Sequence, residues 1–377
     1  MPNHKRAFID FYGEHKISPV SQNISDLKAH FDRREALYRH LGVIPSFVQG
    51  KSVIEFGPGS GHNALYTASL MPSRYVFVEG NPTGLEETKK KLENAPFNTE
   101  FVKSHIESFE TDERFDMVLC EGVLPWQNDP TGMMQKVAEF VAPGGILIVT
   151  TNNEVSALSE TLRQLQAALI VDKSLPIMAQ VEQLLPVFKE DLNSLKGMSR
   201  PQEDWILDQI LQPFIGSTFS IEHAIRAVDG KFDVYSASPN FLIDWAWYKE
   251  VPTSPQTPNE LGISTFRQNI HNFLDYRYTF PARSEKDNLH LDDLINELTK
   301  NELLLENSGD HKYLPTIQSQ LAELTKEVRT FSSDTAECLE DFANCLDQFV
   351  ETGKFPTPRK FSPFFGRGQQ YLSFIKK

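Results

Sequence analysis

Cysteine and long apolar runs are both scarce in this 377-residue chain. The three cysteines, Cys120, Cys338 and Cys345, show no Cys-x-x-Cys spacing, which argues against a structural zinc site and a disulfide framework. No histidine has metal-ligand spacing with suitable partners, so no bound metal is expected. No stretch approaches the roughly 18–20 apolar residues that span a bilayer, and the N-terminus lacks an apolar signal core. We therefore expect a cytoplasmic protein without a transmembrane segment.

Positive charge is also in short supply, with 37 Lys and Arg residues against 51 Asp and Glu residues and a formal net charge of −14. A general nucleic-acid-binding protein needs a broad positive face, so nucleic acid is disfavoured as a partner. The exception is the tail from Lys354 onward, which mixes basic and aromatic side chains and has no acidic one. Such a tail either binds an anionic surface through its basic side chains or packs its aromatic side chains on the parent protein.

Alternating strands and helices dominate the first half of the chain. An amphipathic helix is predicted over 25–42, with Ser25 as its N-cap and Gly42 as its stop. From Lys51 to Thr150, short apolar strands alternate with helical segments, which requires crossover connections and a parallel sheet covered on both faces. The predicted fold class is α/β, with a doubly wound, mostly parallel seven-stranded sheet.

Helical periodicity interrupts the sheet after Thr151. Phe232–Tyr235 and Phe241–Tyr248 are then predicted as an antiparallel strand pair that completes the sheet edge. A proline-rich linker precedes helices whose apolar stripes serve either a homodimer or the intramolecular core. The predicted division is an N-terminal helical cap at 1–46, a sheet domain at 47–154 and 217–252, a helical insertion or lid at 155–216, and a C-terminal helical region with the basic-aromatic tail at 253–377.

The strongest motif follows the first predicted strand, where Glu55–Gly61 reads E-F-G-P-G-S-G. Alternating glycines let a backbone turn tightly and approach a ligand at the carboxyl end of a strand. A dinucleotide-binding fingerprint, G-x-G-x-x-G, requires a third glycine where this chain has His62. Glu79 ends the next strand about twenty residues further on, where a carboxylate can accept hydrogen bonds from ribose hydroxyls. The two signals together predict a nucleoside-containing cofactor other than a dinucleotide.

The E-x-G-x-G-x-G pattern resembles motif I of the class I S-adenosylmethionine-dependent methyltransferases. The resemblance covers about residues 47–151, and it implies methyl transfer with S-adenosylmethionine as the cofactor. The family usually has an acidic residue near the adenine after the third strand, whereas this chain has S-H-I-E at 104–107. The residues that the resemblance assigns to the cofactor are Glu55, Gly57, Gly59, Ser60, Gly61, Glu79, Asn81, His105, Ile106 and Glu121.

Glu121 follows the fourth strand, at the family position that faces both the methionine moiety and the acceptor. The sulfonium of the cofactor is already activated, so the enzyme mainly aligns the nucleophile and excludes water. A hydroxyl acceptor benefits from a general base, and Glu121 is the candidate catalytic residue for that task. The alternative is a carboxylate that orients the methionine amino group or caps a helix.

The predicted function is methyl transfer to a small-molecule or glycan acceptor. Trp126 and Arg200 are further candidates for acceptor contacts, although an arginine at a helix start is commonly a solvated surface residue. A non-catalytic sensor or assembly protein that binds the same cofactor is the alternative. Aminopropyl transfer on the same fold is disfavoured because the chain lacks the Gly-Gly-Gly-Asp-type loop associated with that activity.

Overall fold

The computed structural model describes residues 24–125, 127–198, 200–212, 218–242, 247–250 and 256–377. These residues form two compact units. The first combines the described parts of Met1–Asn152 and Pro213–Phe266 with Gln369–Lys377, and the second combines those of Asn153–Gln212 with Arg267–Gly368. Within the described ranges, no helix is long and apolar enough to cross a membrane.

The first unit is built on a seven-stranded sheet. The strands are β1 (Ser52–Phe56), β2 (Arg74–Glu79), β3 (Asn98–Lys103), β4 (Phe115–Cys120), β5 (Val141–Thr151), β6 (Phe232–Ser238) and β7 (Gln370–Lys376). Their order is β3-β2-β1-β4-β5-β7-β6, with β1 to β5 parallel and β7 antiparallel to both of its neighbours. The predicted fold class is confirmed.

The described residues also form helices, which are shared between the two units. In chain order they are α1 (Leu27–His40), α2 (Pro45–Val48), α3 (Ala64–Ser69), α4 (Pro82–Leu92), α5 (Pro130–Glu139), α6 (Glu154–Ile170), α7 (Ile177–Ser194), α8 (Gln202–Gln209), α9 (Ile221–Val228), α10 (Pro258–Asn269), α11 (Glu285–Ser308), α12 (Leu314–Arg329) and α13 (Ser333–Thr352). Short 3-10 segments lie at Ile106–Ser108, Ile270–Phe273 and His311–Tyr313. On one face of the sheet, Val53, Tyr75 and Leu119 form a buried core with Tyr38 of α1 and Tyr66 of α3.

Helix α1 starts later than the sequence predicts. Its N-cap is Asp26, not Ser25, because the Asp26 carboxylate accepts a hydrogen bond from the backbone N–H of Ala29 (2.9 Å). At the other end, Gly42 adopts a φ of 69° after the helix, as expected for a glycine stop.

The seventh strand is not where the sequence placed it. The described residues of the range Phe241–Tyr248 contain no strand, and Trp247 and Tyr248 are 55% and 72% exposed. The position beside β6 is taken by β7, whose Leu372 and Phe374 are fully buried. The C-terminal region, predicted as helical with a basic-aromatic tail, therefore ends in a strand of the sheet. Its partner β5 lies more than 200 residues away in sequence, so no local pattern reveals the pairing.

The second unit is helical, and the helical periodicity predicted after Thr151 is confirmed by α6 and α7. Here Phe361, Phe364 and Phe365 of the basic-aromatic tail are buried. They surround Arg163 of α6, whose guanidinium carbon lies 4.7 Å and 3.9 Å from the ring centroids of Phe361 and Phe365. This part of the tail therefore packs its aromatic side chains on the parent protein, which is the second of the two interpretations given for the tail above.

Arg163 places a charged guanidinium inside this core, because its side chain is fully buried. Its Nε donates to Asp191 of α7 (2.8 Å), Nη1 donates to the carbonyl oxygens of Ser159 and Phe364, and Nη2 donates to that of Ser362. A buried charge that is paired and fully hydrogen-bonded is tolerated, whereas removing one partner leaves the other uncompensated.

Replacing Arg163 with methionine should therefore leave the Asp191 carboxylate buried without its cationic partner. We expect the free energy of opening of α6 and α7, measured by hydrogen–deuterium exchange, to fall by about 3–5 kcal/mol. The exposed pair Arg329–Glu340 supplies the control, since Arg329→Met should change that free energy by less than about 1 kcal/mol. Equal effects of the two substitutions would contradict the assignment.

Candidate functional site

The glycine motif forms the loop between β1 and α3. β1 lies between β2 and β4, so the strand order reverses here, and such a switch point opens a crevice at the carboxyl ends of the strands. Gly57 and Gly61 have φ values of 69° and 74°. A Cβ at Gly57 would lie 2.5 Å from the Val123 side chain, and one at Gly61 would lie 2.8 Å from Thr88 Oγ1. Only glycine fits this loop, both in conformation and in space.

Glu79, at the end of β2, is hydrogen-bonded to that loop. Its carboxylate accepts hydrogen bonds from the backbone N–H groups of Gly59 (3.0 Å) and Asn81 (2.8 Å). Burial raises the pKa of Glu79, and the backbone N–H groups oppose that shift by stabilising the anion. A carboxylate has about four acceptor positions, so Glu79 can still accept a hydrogen bond from a hydroxyl group of a ligand.

Asn81 caps α4 beside this carboxylate. Its Oδ1 accepts a hydrogen bond from the backbone N–H of Thr83 (2.9 Å), which fixes the orientation of the amide. Within the described part of the chain the Nδ2 group has no hydrogen-bond partner, although Asn81 is only 4% exposed. An unpartnered buried donor is costly unless a ligand satisfies it, so this atom fits a crevice that binds an oxygen-bearing ligand.

Glu55 lies beneath the loop, at the end of β1. It is buried, and its carboxylate accepts a hydrogen bond from the hydroxyl of Tyr75 on β2. Burial and the nearby negative charge of Glu121 raise the pKa of Glu55 to about 7. The charge of Glu55 is therefore sensitive to pH near neutrality and to any cation that enters the crevice.

Glu121, directly after β4, is held by a residue that the sequence analysis did not single out. Nη1 and Nη2 of Arg34 on α1 donate to the two carboxylate oxygens, both at 2.8 Å. The Nδ2 of Asn63 lies 3.4 Å from one of these oxygens. Both oxygens are therefore engaged by a guanidinium, which disfavours proton abstraction by this carboxylate.

Helix α1 reaches the site through three buried residues spaced four apart: His30, Arg34 and Tyr38. His30 Nε2 donates to the carbonyl oxygen of His62 (2.9 Å), and the hydroxyls of Tyr38 and Thr67 are 2.6 Å apart. The signal available in the sequence is this spacing, which places polar side chains on the same helix face as the apolar ones. Because long polar residues usually face solvent, the pattern suggested only a cap.

The remaining predicted cofactor residues follow the same edge of the sheet. Ser60 is buried in the loop and shares a hydrogen bond with the His62 ring (2.8 Å). His105 and Ile106 open the 3-10 segment after β3, and this loop is tied to β2 because Ser104 N–H donates to the Glu79 carbonyl oxygen (3.2 Å).

The sequence predicted two further acceptor contacts, Trp126 and Arg200. Trp126 lies outside the described residues. Arg200, in the second unit, pairs with Asp208 at 2.6 Å. In the described part of the chain, no cluster of three or more His, Cys, Asp or Glu side chains is arranged to hold a metal ion.

Comparisons with known proteins address the domain that carries this crevice. Residues 47–195 match the family model of a methyltransferase domain. This region is a class I S-adenosylmethionine-dependent methyltransferase domain, which confirms the family resemblance.

Individual relatives are distant and partial. The chain is 23% identical over 158 residues to malonyl-[acyl-carrier protein] O-methyltransferase 1 of Ilyobacter polytropus, covering 40% of this chain and 59% of that protein. It is 24% identical over 163 residues to the ubiquinone biosynthesis O-methyltransferase of Proteus mirabilis, covering 39% of this chain and 62% of that protein. The chain thus spans about 60% of the length of these curated relatives.

Among solved structures, PKMT2 from Rickettsia typhi in complex with AdoHcy is similar over 58% of this chain and 46% of that chain, with 17% identity and a TM-score of 0.41.

The raised pKa of Glu55 has a measurable consequence for stability. The ordinary pKa is 4.5 and the folded value is about 7, so the folded state binds the proton more tightly and loses stability as pH rises through this range. Glu55→Gln removes the penalty and retains an acceptor for Tyr75. We expect the variant to gain about 1–3 kcal/mol over the wild type at pH 8 and little at pH 4.5, measured by chemical denaturation.

The control is Glu86→Gln at an exposed position of α4. It should change stability equally little at both pH values. A Glu55→Gln effect that is independent of pH would contradict the assignment.

Proposed function

We propose that this chain is a methyltransferase that transfers a methyl group from S-adenosylmethionine to a small-molecule or glycan acceptor. The observation that carries the proposal is the hydrogen bond between Gly59 N–H and the Glu79 carboxylate. It joins the glycine loop to the acidic strand end, and these are the two features expected around a nucleoside-containing cofactor.

The residues of the crevice fit this cofactor. Glu79 has acceptor positions for the ribose hydroxyls, and the amide of Asn81 has a donor for an oxygen of the same moiety. The glycine loop lets the cofactor approach the backbone closely. The buried carboxylate of Glu55 favours the positively charged methionine end when it is ionised.

S-adenosylmethionine, when bound, supplies a methyl group already activated by its sulfonium. The chain then has to align the acceptor with that methyl group and exclude water from the crevice. In the described residues, α1 lies against the glycine loop and the β4 end through His30 and Arg34, so it covers one side of the crevice. The acceptor class follows the small-molecule interpretation of the sequence, and the similarity to two O-methyltransferases supports methyl transfer as the reaction.

Glu79 provides the direct test of cofactor placement. Glu79→Gln removes the negative charge but retains an acceptor oxygen, so the loop can keep one backbone hydrogen bond. We expect the affinity for S-adenosylmethionine, measured by isothermal titration calorimetry, to fall by about 1–3 kcal/mol because charge-assisted hydrogen bonds are lost. Glu86→Gln, on the exposed face of α4, is the matched control and should bind as the wild type does. Unchanged affinity of Glu79→Gln would reject the placement of the ribose.

Turnover tests the enzymatic part of the proposal. The purified chain is incubated with S-adenosylmethionine and fractionated metabolite and glycan extracts, and S-adenosylhomocysteine is measured by mass spectrometry. If the chain is an enzyme, at least one fraction yields more S-adenosylhomocysteine than the reaction without extract. A sensor binds the cofactor but forms none with any fraction.

A further inference from the structure

We infer that Arg34 is a positioning residue of the methyl-transfer site: it neutralises Glu121 and withdraws this carboxylate from general-base catalysis. The inference rests on the proposed function. Arg34 lies on α1, ahead of the residues that match the methyltransferase domain, so the domain motifs do not supply it.

The pair is isolated from solvent and closely bonded. The side chains of Arg34 and Glu121 are 7% and 6% exposed. Two parallel hydrogen bonds of 2.8 Å join them in the bidentate geometry that suits a guanidinium and a carboxylate. In this arrangement both oxygens of the carboxylate are oriented and engaged by the guanidinium. It is suited to fixing charge and shape, and poorly suited to accepting a proton.

The pair also adjoins the glycine loop. Asn63, which follows that loop, reaches Glu121 at 3.4 Å. Val123, two residues beyond Glu121, occupies the space that a Cβ at Gly57 would need. The residues after β4 and the loop after β1 therefore line the same crevice, and the ion pair lies between them and α1.

Helix α1 holds Arg34 in place. His30 and Tyr38, one turn before and one turn after it, are both buried and hydrogen-bonded to the domain through His62 and Thr67. The Arg34 guanidinium carbon also lies 5.4 Å from the centroid of the Tyr38 ring. The Nε of Arg34 is buried and has no hydrogen-bond partner among the residues that the structure describes, so one donor of the guanidinium remains available to a ligand oxygen.

Neutralising the charge of Glu121 lowers the stabilisation of the positively charged cofactor relative to the transition state of methyl transfer. The reaction removes a positive charge from the cofactor sulfur, so an unpaired carboxylate near the sulfur stabilises the substrate more than the transition state. Paired with Arg34, Glu121 contributes geometry without a net charge. The pair therefore sets the relative affinity for the charged substrate cofactor and its uncharged product.

This relative affinity is measurable without an acceptor. S-adenosylmethionine and S-adenosylhomocysteine differ by one methyl group and one charge, so the ratio of their Kd values reports the charge of the crevice. Calorimetric titrations with both ligands are made on the wild type, Arg34→Gln, Glu121→Gln and the double variant. The exposed neighbour Arg33→Gln is the matched control, and Arg34→Lys tests rescue by a retained charge.

We expect Arg34→Gln to shift the ratio toward S-adenosylmethionine by about tenfold, the order expected for one uncompensated charge in a partly buried site. Glu121→Gln should shift it in the opposite direction. The double variant and Arg34→Lys should return it to within about threefold of the wild-type ratio, and Arg33→Gln should not change it. A purely structural role would weaken both ligands equally and leave the ratio constant.

Ratios that stay at the wild-type value in both folded single variants overturn the inference while leaving the proposed function intact. A wild type that binds neither ligand overturns the proposed function, and the inference with it. If Arg34→Gln does not fold, the ratio in Glu121→Gln decides, and an unchanged ratio there rejects the inference.

Discussion

The hydrogen bond between Gly59 N–H and the Glu79 carboxylate is the contact on which the candidate site depends. It fixes the loop after β1 to the end of β2, and the second oxygen of Glu79 fixes the start of α4 through Asn81. Without it, the glycine loop would be a flexible turn, because glycine loses more conformational freedom on folding than any other residue. With it, backbone, carboxylate and amide face the same crevice in fixed positions.

Charge is the second constraint on this crevice. Three buried carboxylates, Glu55, Glu79 and Glu121, lie at the ends of β1, β2 and β4. Each is satisfied by a different partner: the Tyr75 hydroxyl, backbone N–H groups and the Arg34 guanidinium. These partners leave the three groups with different chemistry, since one titrates near neutrality, one stays an acceptor and one is neutralised by a cation. A site of this kind suits a ligand that carries positive charge at one end and hydroxyl groups at the other.

The features that could be predicted from the sequence are those that depend on residues close together along the chain. The glycine loop, the Glu79 position and the alternation of strands and helices are all local patterns, and they led to the fold and to the cofactor crevice. Arg34 and β7 could not be found in that way, because Arg34 meets Glu121 across 87 residues and Thr151 meets Gln370 across 219. Tertiary contact alone determines those partners. Even the start of α1 depended on which of two adjacent cap residues, Ser25 or Asp26, had its oxygen near the Ala29 N–H.

The central claim is that the crevice at the ends of β1, β2 and β4 binds S-adenosylmethionine. Calorimetric titration of the wild-type chain with S-adenosylmethionine, S-adenosylhomocysteine and NAD tests it most directly. The account predicts saturable binding of the first two ligands and no binding of NAD, because His62 replaces the third glycine of a dinucleotide-binding loop. Binding of NAD alone, or of none of the three, would contradict it.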